Sequence, residues 1–402
     1  MRTGPARGRT GNFHEAGFYG SDAEFLSLIV PFVAGGSAAG EPVVIGYDTR
    51  KCELLRAALP RPEEVTFLGD AGLYATPAGA IEAYRQEFER YMSAGAEQIR
   101  IAGDVPHEGN GGRFAGWDRY ESAVNAVWED YPVWSRCLYD ATTVPDDVRD
   151  VVERTHRRLV APDGSAAPSP RYQEVGEFRP LAAAADPLEA TAPVVSLVDA
   201  SLKRTRHLVS HAARGRIDGG AHEDLLLALS EVVANAQLHG RPPVTVRVWT
   251  APERVVARVH DTGPGPPSGP LTGLVPSPEG TSGAGLGLWV CHQLSDVEIA
   301  LITDDDGFAV RLRAGRLPDT VHLPGPDLSP GRVPLRVGTA GGATPGRDEV
   351  HVVDGDGSSL CELVDATRLV PLGDVDWSAV PADQRCATCG LLMTGTLGLE
   401  QP

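Results

Sequence analysis

The chain of 402 residues has no stretch approaching the roughly 18 consecutive apolar residues that a membrane span needs, so no bilayer crossing is expected. Its first residues, Met1 to Gly11, are basic and glycine-rich but lack the following apolar run of a secretory signal, and a cytoplasmic location is expected. Positive charge is short as well: 36 Lys and Arg stand against 54 Asp and Glu, a formal net charge of −18. Non-specific nucleic-acid binding is driven by cations that neutralise phosphates, so this balance argues against it and for a protein or small-molecule partner. There is no internal repeat. Cysteines number only six, and Cys52, Cys137 and Cys291 stand in apolar surroundings, where a small buried thiol is the ordinary reading.

What is present is the composition of a globular protein, 42% hydrophobic and 22% charged. Two stretches, 161–193 and 317–347, are rich in Pro, Gly and Ala and carry too little apolar surface to fold alone. Read as linkers, they leave an N-terminal domain at 1–160, a central domain at 194–316 and a small C-terminal segment at 348–402. In the first, helical spacing over Glu24 to Ala39, Lys51 to Leu59, Thr76 to Gly95 and Trp117 to Glu129 alternates with short apolar runs at Val43, Val65 and Ile99. That alternation predicts an α/β domain with a mainly parallel sheet and helices on its faces. In the second, helices are expected from Val194 to Ala213 and from Gly220 to Gly240. Strands follow at Val244 to Thr250 and Arg254 to Val259, then a helix near Gly287 and a hairpin joining Val297–Thr303 to Phe308–Arg313. The expected fold is a layered α/β sandwich with a mixed, mostly antiparallel sheet.

Three local patterns in the central domain carry chemistry. Glu231 and Asn235 are four apart on one helix and share a face, with Leu226, Leu229 and Val233 expected on the core side. A carboxylate that can take a proton beside an amide oxygen that can ligate a hard cation suits Mg²⁺-nucleotide chemistry, although a solvated helix face would look the same. Asp261 ends a strand before Thr262-Gly263-Pro264-Gly265, where the glycines let backbone approach a flat ligand and the carboxylate can accept from an exocyclic amine. Finally Gly280 and Gly283-Ala284-Gly285-Leu286-Gly287 run into a helix, whose free N–H groups favour phosphate.

In this order and spacing the three patterns resemble the Asn-bearing helix, Asp-x-Gly-x-Gly loop and glycine-rich lid of the GHKL (Bergerat-fold) ATPases. Leu229-Ser-Glu-Val-Val-Ala-Asn-Ala with His239-Gly240 is more closely similar to bacterial anti-sigma factor serine/threonine kinases. The resemblance implies ATP and Mg²⁺ as cofactors, Asn235 as the Mg²⁺ ligand, Glu231 as the general base and Asp261 as the reader of adenine. Gly263, Gly265, Gly283, Gly285, Leu286 and Gly287 would shape the pocket. It further implies a sigma factor or an anti-sigma factor antagonist as protein partner, the antagonist being phosphorylated on Ser or Thr, and admits a homodimer. Two departures stand out: Gly307-Phe308-Ala309-Val310 lies where many family members carry Gly-Thr, and Pro264, Pro266, Pro267 and Pro270 crowd the loop. A non-catalytic ATP-dependent binding switch is therefore the alternative. A histidine kinase-like protein is another, although Arg206-His207-Leu-Val-Ser-His211 does not resemble a phospho-acceptor motif.

The N-terminal stretch is similar to the MEDS sensory domain, on His14-Glu-Ala-Gly-Phe-Tyr-Gly-Ser, Trp117-Asp-Arg-Tyr-Glu-Ser-Ala-Val-Asn and Cys137-Leu-Tyr-Asp. Such domains look related to RecA-like folds, yet no Gly-x-x-x-x-Gly-Lys-Ser/Thr loop occurs here, so ATP in this half is not expected. Gly17-Phe-Tyr-Gly-Ser reads as a turn. Tyr120, Glu121 and Tyr139 are candidates for the pocket of an unknown ligand on the resemblance alone, with ordinary packing as the plainer reading. In the tail, Cys386-Ala-Thr-Cys389 with His351 and Cys361 could close a His-Cys₃ zinc site that staples a segment with little core; free thiols on a flexible tail would read the same.

Overall fold

Short apolar runs bounded by turns pair side by side in a parallel sheet when helices cover both faces, and the first half of the chain follows that rule. The computed structural model describes residues 11–68, 74–266, 269–276 and 286–316, with three short strands beyond them described by backbone. The chain divides into two compact units, Met1–Ala183 with Pro266–Ser295, and Ala184–Gly265 with Asp296–Pro402.

In the first unit the strands are β1 (Phe13–Tyr19), β2 (Val43–Gly46), β3 (Val65–Phe67), β4 (Ile99–Gly103), β5 (Val133–Asp140), β6 (Arg158–Val160) and β7 (Ala166–Pro168). They lie in the order β3-β2-β4-β5-β1-β6-β7, all neighbours parallel except β7, which runs antiparallel to β6. Helices α1 (Asp22–Ala39) and α2 (Thr49–Ala58) supply one core, where Phe25, Ile29, Val33 and Leu55 meet Val43 and Ile45. Helices α3 (Pro77–Ser93), α4 (Trp117–Val127) and α5 (Asp146–Thr155) supply the other, built on Tyr84, Phe88, Trp117, Trp128 and Val148. The helix starts are chemically marked: the side chains of Ser21, Asp48 and Thr76 each accept a backbone N–H of the first turn.

Two expectations change here, and a third meets a test of composition. Gly17–Tyr19 is not a turn but the end of β1; paired on both sides, that strand is buried nearly throughout and shows no alternation to read. Much of the stretch expected as linker is laid onto the unit: β7 extends the sheet, Phe178 is buried in the second core, and Leu181 N–H donates to Asp118. By length and composition α1 could cross a membrane, with mean hydropathy 1.2 over 18 residues. Its Phe25, Leu28, Ile29, Phe32 and Val33 are instead buried against the sheet, as in a core helix.

The second unit holds β8 (Val195–Val198), β9 (Thr245–Ala251), β10 (Arg254–Asp261), β11 (Val297–Asp304) and β12 (Gly307–Gly315), ordered β11-β12-β10-β9-β8 with every pairing antiparallel. Helices α6 (Leu202–Ala213) and α7 (Gly219–His239) pack on this sheet. The helix expected from Val194 is thus a strand followed by a helix. Val195 to Val198 alternates buried and exposed, and Ser201 accepts Arg204 N–H to start α6. On α7 the core face is Leu225, Ala228, Leu229, Val232, Val233 and Ala236; Leu226 is only half-buried.

A strap at 184–191 crosses this sheet. Asp186 pairs with Arg254 and Arg313, Glu189 pairs with Arg258 and Arg311, and Thr191 carbonyl accepts the Trp249 indole N–H. The ATPase-side segment Pro266–Ser295 falls with the first unit. It includes α8 (Gly287–Cys291); Leu274 is buried in the Trp117 core, and Arg119 on α4 donates to the Thr272 carbonyl. Beyond these lie β13 (Arg336–Ala340), β14 (Val350–Val353) and β15 (Leu369–Pro371), with β13 paired antiparallel to both others.

Candidate functional site

The carboxylate expected to read adenine is built into a backbone cradle. Helix α7 ends at Gly240, and the next residue, Arg241, donates its N–H to Asp261 Oδ1 at 3.0 Å while Gly263 N–H donates to the same oxygen at 2.7 Å. Two donors on one oxygen set the plane of the carboxylate and leave Oδ2 outside these bonds. The cradle needs glycine at Gly240: a Cβ there would stand 2.5 Å from Asp261 Cγ and from the Ala236 carbonyl oxygen. Thr262 N–H returns the contact to the Arg241 carbonyl at 2.9 Å, so the end of β10 and the end of α7 are tied together. Asp261 itself is buried, 4% exposed.

Glu231 and Asn235 occupy α7 one turn apart, both half-buried between buried Val232, Val233 and Ala236. Asn235 lies five residues before Gly240, about 7.5 Å along the axis at 1.5 Å per residue. Phe308 pairs with Asp261 across β12 and β10, and its ring lies directly against Gly265, whose φ of +72° is a conformation that favours glycine. The residue that departs from the family pattern therefore forms a wall of the Asp261 loop.

Of the lid residues, Leu286 precedes α8 and is exposed, and Gly287 is buried as that helix's first residue. Gly283 and Gly285 lie outside the described residues, as do Cys361, Cys386 and Cys389. The backbone of His351 lies in β14, opposite Gly338.

A second polar group lies in the first unit. His14 on β1, Glu121 on α4, Cys137 on β5 and His156 just after α5 each turn one ligand-type atom to a common point, all within 4.8 Å of one another. Parallel pairing explains two of them: Ala16 is the partner of Cys137, so His14 and Cys137 share a sheet face. Tyr139 O–H donates to Glu121 Oε1. Burial pushes the Glu121 carboxyl up to about 7 against that bond, and lowers His14 to about 4 against its bond with Asn125. Burial likewise holds His156 well below and Cys137 well above their ordinary values. A small cavity of about 20 Å³, room for a water or an ion, is lined by His14, Tyr120, Glu121 and Cys137 among others. Of the sequence candidates, Tyr120 and Glu121 line it and Tyr139 holds Glu121; His14 and His156 were missed. The only signal in the sequence was a histidine entering a buried strand.

Near the carboxyl ends of β2 and β4, Lys51 on α2 meets Asp104 at 2.7 Å, both buried. Burial alone would lower the Lys51 ammonium's pKa; the Asp104 carboxylate outweighs it and raises it.

The model of the MEthanogen/methylotroph, DcmR Sensory domain (MEDS) matches residues 13–157, and that of the histidine kinase-like ATPase domain matches residues 195–314. Comparison with curated proteins gives no match. The ATPase match brings ATP as the implied ligand, usually with Mg²⁺, and the Asp261 cradle fits it. The chain therefore carries a MEDS sensory domain followed by a histidine kinase-like ATPase domain, in that order.

Proposed function

We propose that this chain is a sensor-linked anti-sigma regulatory factor that acts in the cytoplasm on an anti-sigma factor antagonist, using ATP and Mg²⁺ to phosphorylate it on Ser or Thr. The observation that carries the nucleotide half is the Asp261 carboxylate, oriented by Arg241 and Gly263 N–H groups at the end of the helix that bears Glu231 and Asn235. When bound, ATP supplies the phosphoryl group and Mg²⁺ offsets its charge. Asn235 would hold the ion through its amide oxygen, and Asp261 would accept from the adenine amine. Glu231 would take the proton of the target hydroxyl. The resemblance to the family gives Gly283, Gly285, Leu286 and Gly287 the role of shaping the phosphate pocket.

Sensor linkage is supported within the first unit, where Arg119 on α4 donates to the Thr272 carbonyl and Leu274 enters the core of the sensory sheet. The serine/threonine reading rests on Leu229 to Ala236 with His239-Gly240. A histidine kinase is less well supported, since His207 and His211 lie on α6, packed against α7 in the ATPase sandwich. Phe308 against Gly265 favours the second reading, a switch that binds ATP without turnover.

Full-length protein incubated with labelled ATP, Mg²⁺ and purified anti-sigma factor antagonists of the source genome should label one of them on Ser or Thr. Glu231→Gln should lower that labelling about 10²-fold or more with ATP affinity kept, the scale of a lost general base. Equal labelling by the variant would reject Glu231 as the base; ATP binding with no labelled product would select the switch.

A further inference from the structure

We propose that the MEDS domain binds one divalent transition-metal ion, zinc by its donor set, through His14 Nε2, Glu121 Oε2, Cys137 Sγ and His156 Nε2. Three of the six donor separations match a tetrahedral shell, and all six lie within 4.8 Å. His14 Nε2 lies 3.4 Å from Cys137 Sγ and 3.6 Å from Glu121 Oε2, and His156 Nε2 lies 3.5 Å from Glu121 Oε2. Metal–nitrogen bonds near 2.0 Å and metal–sulfur bonds near 2.3 Å at tetrahedral angles give donor separations of about 3.3 to 3.6 Å.

The surrounding hydrogen bonds select the metal-binding form of three of the ligands, His156, His14 and Glu121. His156 Nδ1 is 2.9 Å from the Val152 carbonyl, which can only accept, so Nδ1 carries the proton and Nε2 offers its lone pair. Asn125 donates its amide N–H to the carbonyls of Glu121 and Thr155, which turns its Oδ1 toward His14 Nδ1 at 3.2 Å and gives His14 the same tautomer. Tyr139 occupies Glu121 Oε1 and leaves Oε2 toward the cluster. Glu121 Oε2 and His156 Nε2 are both buried without a hydrogen-bond partner, although polar atoms inside a protein are nearly always partnered. A divalent ion with one carboxylate, one thiolate and two neutral imidazoles is electrically neutral, the condition a dry interior favours. Cysteine with histidine and a single carboxylate, four protein donors in all, selects zinc over the oxygen-seeking Mg²⁺ and Ca²⁺ and describes a closed site.

The C-terminal cysteines, expected either as a separate zinc site or as free thiols, could contribute a thiolate signal of their own, so the test removes them. In the full chain carrying Cys361→Ser, Cys386→Ser and Cys389→Ser, cobalt(II) should bind at one equivalent with a thiolate charge-transfer band, and zinc should displace it. Adding Cys137→Ser should abolish the band while circular dichroism retains the fold. Absence of stoichiometric cobalt binding in the tail variant, or a band that survives Cys137→Ser, overturns the proposal. X-ray absorption of the zinc-loaded tail variant needs no change in the site itself: one sulfur near about 2.3 Å with three nitrogen or oxygen neighbours near about 2.0 Å is expected. A shell with no sulfur, or with two, overturns it. None of these readouts depends on phosphotransfer or on any protein partner.

Discussion

The candidate metal-type cluster of the first unit lies inside, whereas the nucleotide-type pair Glu231 and Asn235 of the second lies half-buried on its helix. Glu41 with Arg100, Lys51 with Asp104, and the His14, Glu121, Cys137 and His156 group all lie within the covered sheet of the first. In the second, Glu231 and Asn235 stay half-buried on α7 and Arg258 of the strap pairs is 28% exposed, although Asp261 and the Asp186–Arg254 pair are buried. A buried polar group must find its partners in the fold, so its place is decided by tertiary structure. A half-buried one can wait for a ligand from solvent. The sensory half is thus organised around what it holds inside, and the ATPase half around what it receives.

The comparison breaks most visibly at Arg100. Its Nε donates to Glu41 at 2.6 Å, and both side chains are less than a tenth exposed. Arg100→Ala leaves the Glu41 carboxylate buried without that guanidinium, and a loss of about 3–5 kcal/mol in urea unfolding is expected for the first unit. A loss below about 1 kcal/mol, the scale of an exposed pair, would mean that Glu41 reaches water and that the two units do not differ in this way.

At the ATP side the expected effect is smaller and falls on binding. A Cβ at Gly240 would press on Asp261 Cγ at 2.5 Å, so Gly240→Ala should push the carboxylate off its two N–H donors. Losing a hydrogen bond of about 1–2 kcal/mol should weaken ATP by about 5- to 30-fold, read by calorimetry with a non-hydrolysable analogue. Unfolding should change little beside Arg100→Ala. Unchanged affinity would show that Asp261 is not what holds the nucleotide.

The same contrast explains what could be read from the sequence. Glu231 with Asn235, and Asp261 with its glycines, are local patterns whose spacing survives without the rest of the fold. Gly240 was visible only as part of a resemblance, because its contact with Asp261 needs the end of α7 brought to the end of β10. The metal-type cluster joins positions 14, 121, 137 and 156 from separate elements, and only the pairing of β1 with β5 places the first beside the third. Val195 to Val198 merged with the following helix because its apolar residues also suit helical spacing; the Ser201 cap was the available signal. The strap at 184–191 looked featureless by composition. Its meaning lies in Arg254, Arg258, Arg311 and Arg313, which antiparallel pairing gathers on one sheet.

That strap supplies the smallest test. Burial would raise the Glu189 carboxyl, but the Asp186 backbone N–H and the Arg311 guanidinium outweigh it and hold it below its ordinary 4.5. A carboxyl whose folded value is depressed stabilises fully above its unfolded value, and that contribution disappears as pH falls through the folded one. Wild type and Glu189→Gln should therefore differ at pH 7 by about 1 kcal/mol, since the Glu189 side chain is 10% exposed and its partner Arg258 28% exposed, so solvent screens part of the pairing. The gap should close as pH falls below about 4.5 toward the folded value. Paired unfolding curves of the second unit from pH 7 downward measure it. A gap that widened in acid would reverse the sign assigned to Glu189, and one well above 1 kcal/mol at pH 7 would make the strap as interior as the Arg100 pair.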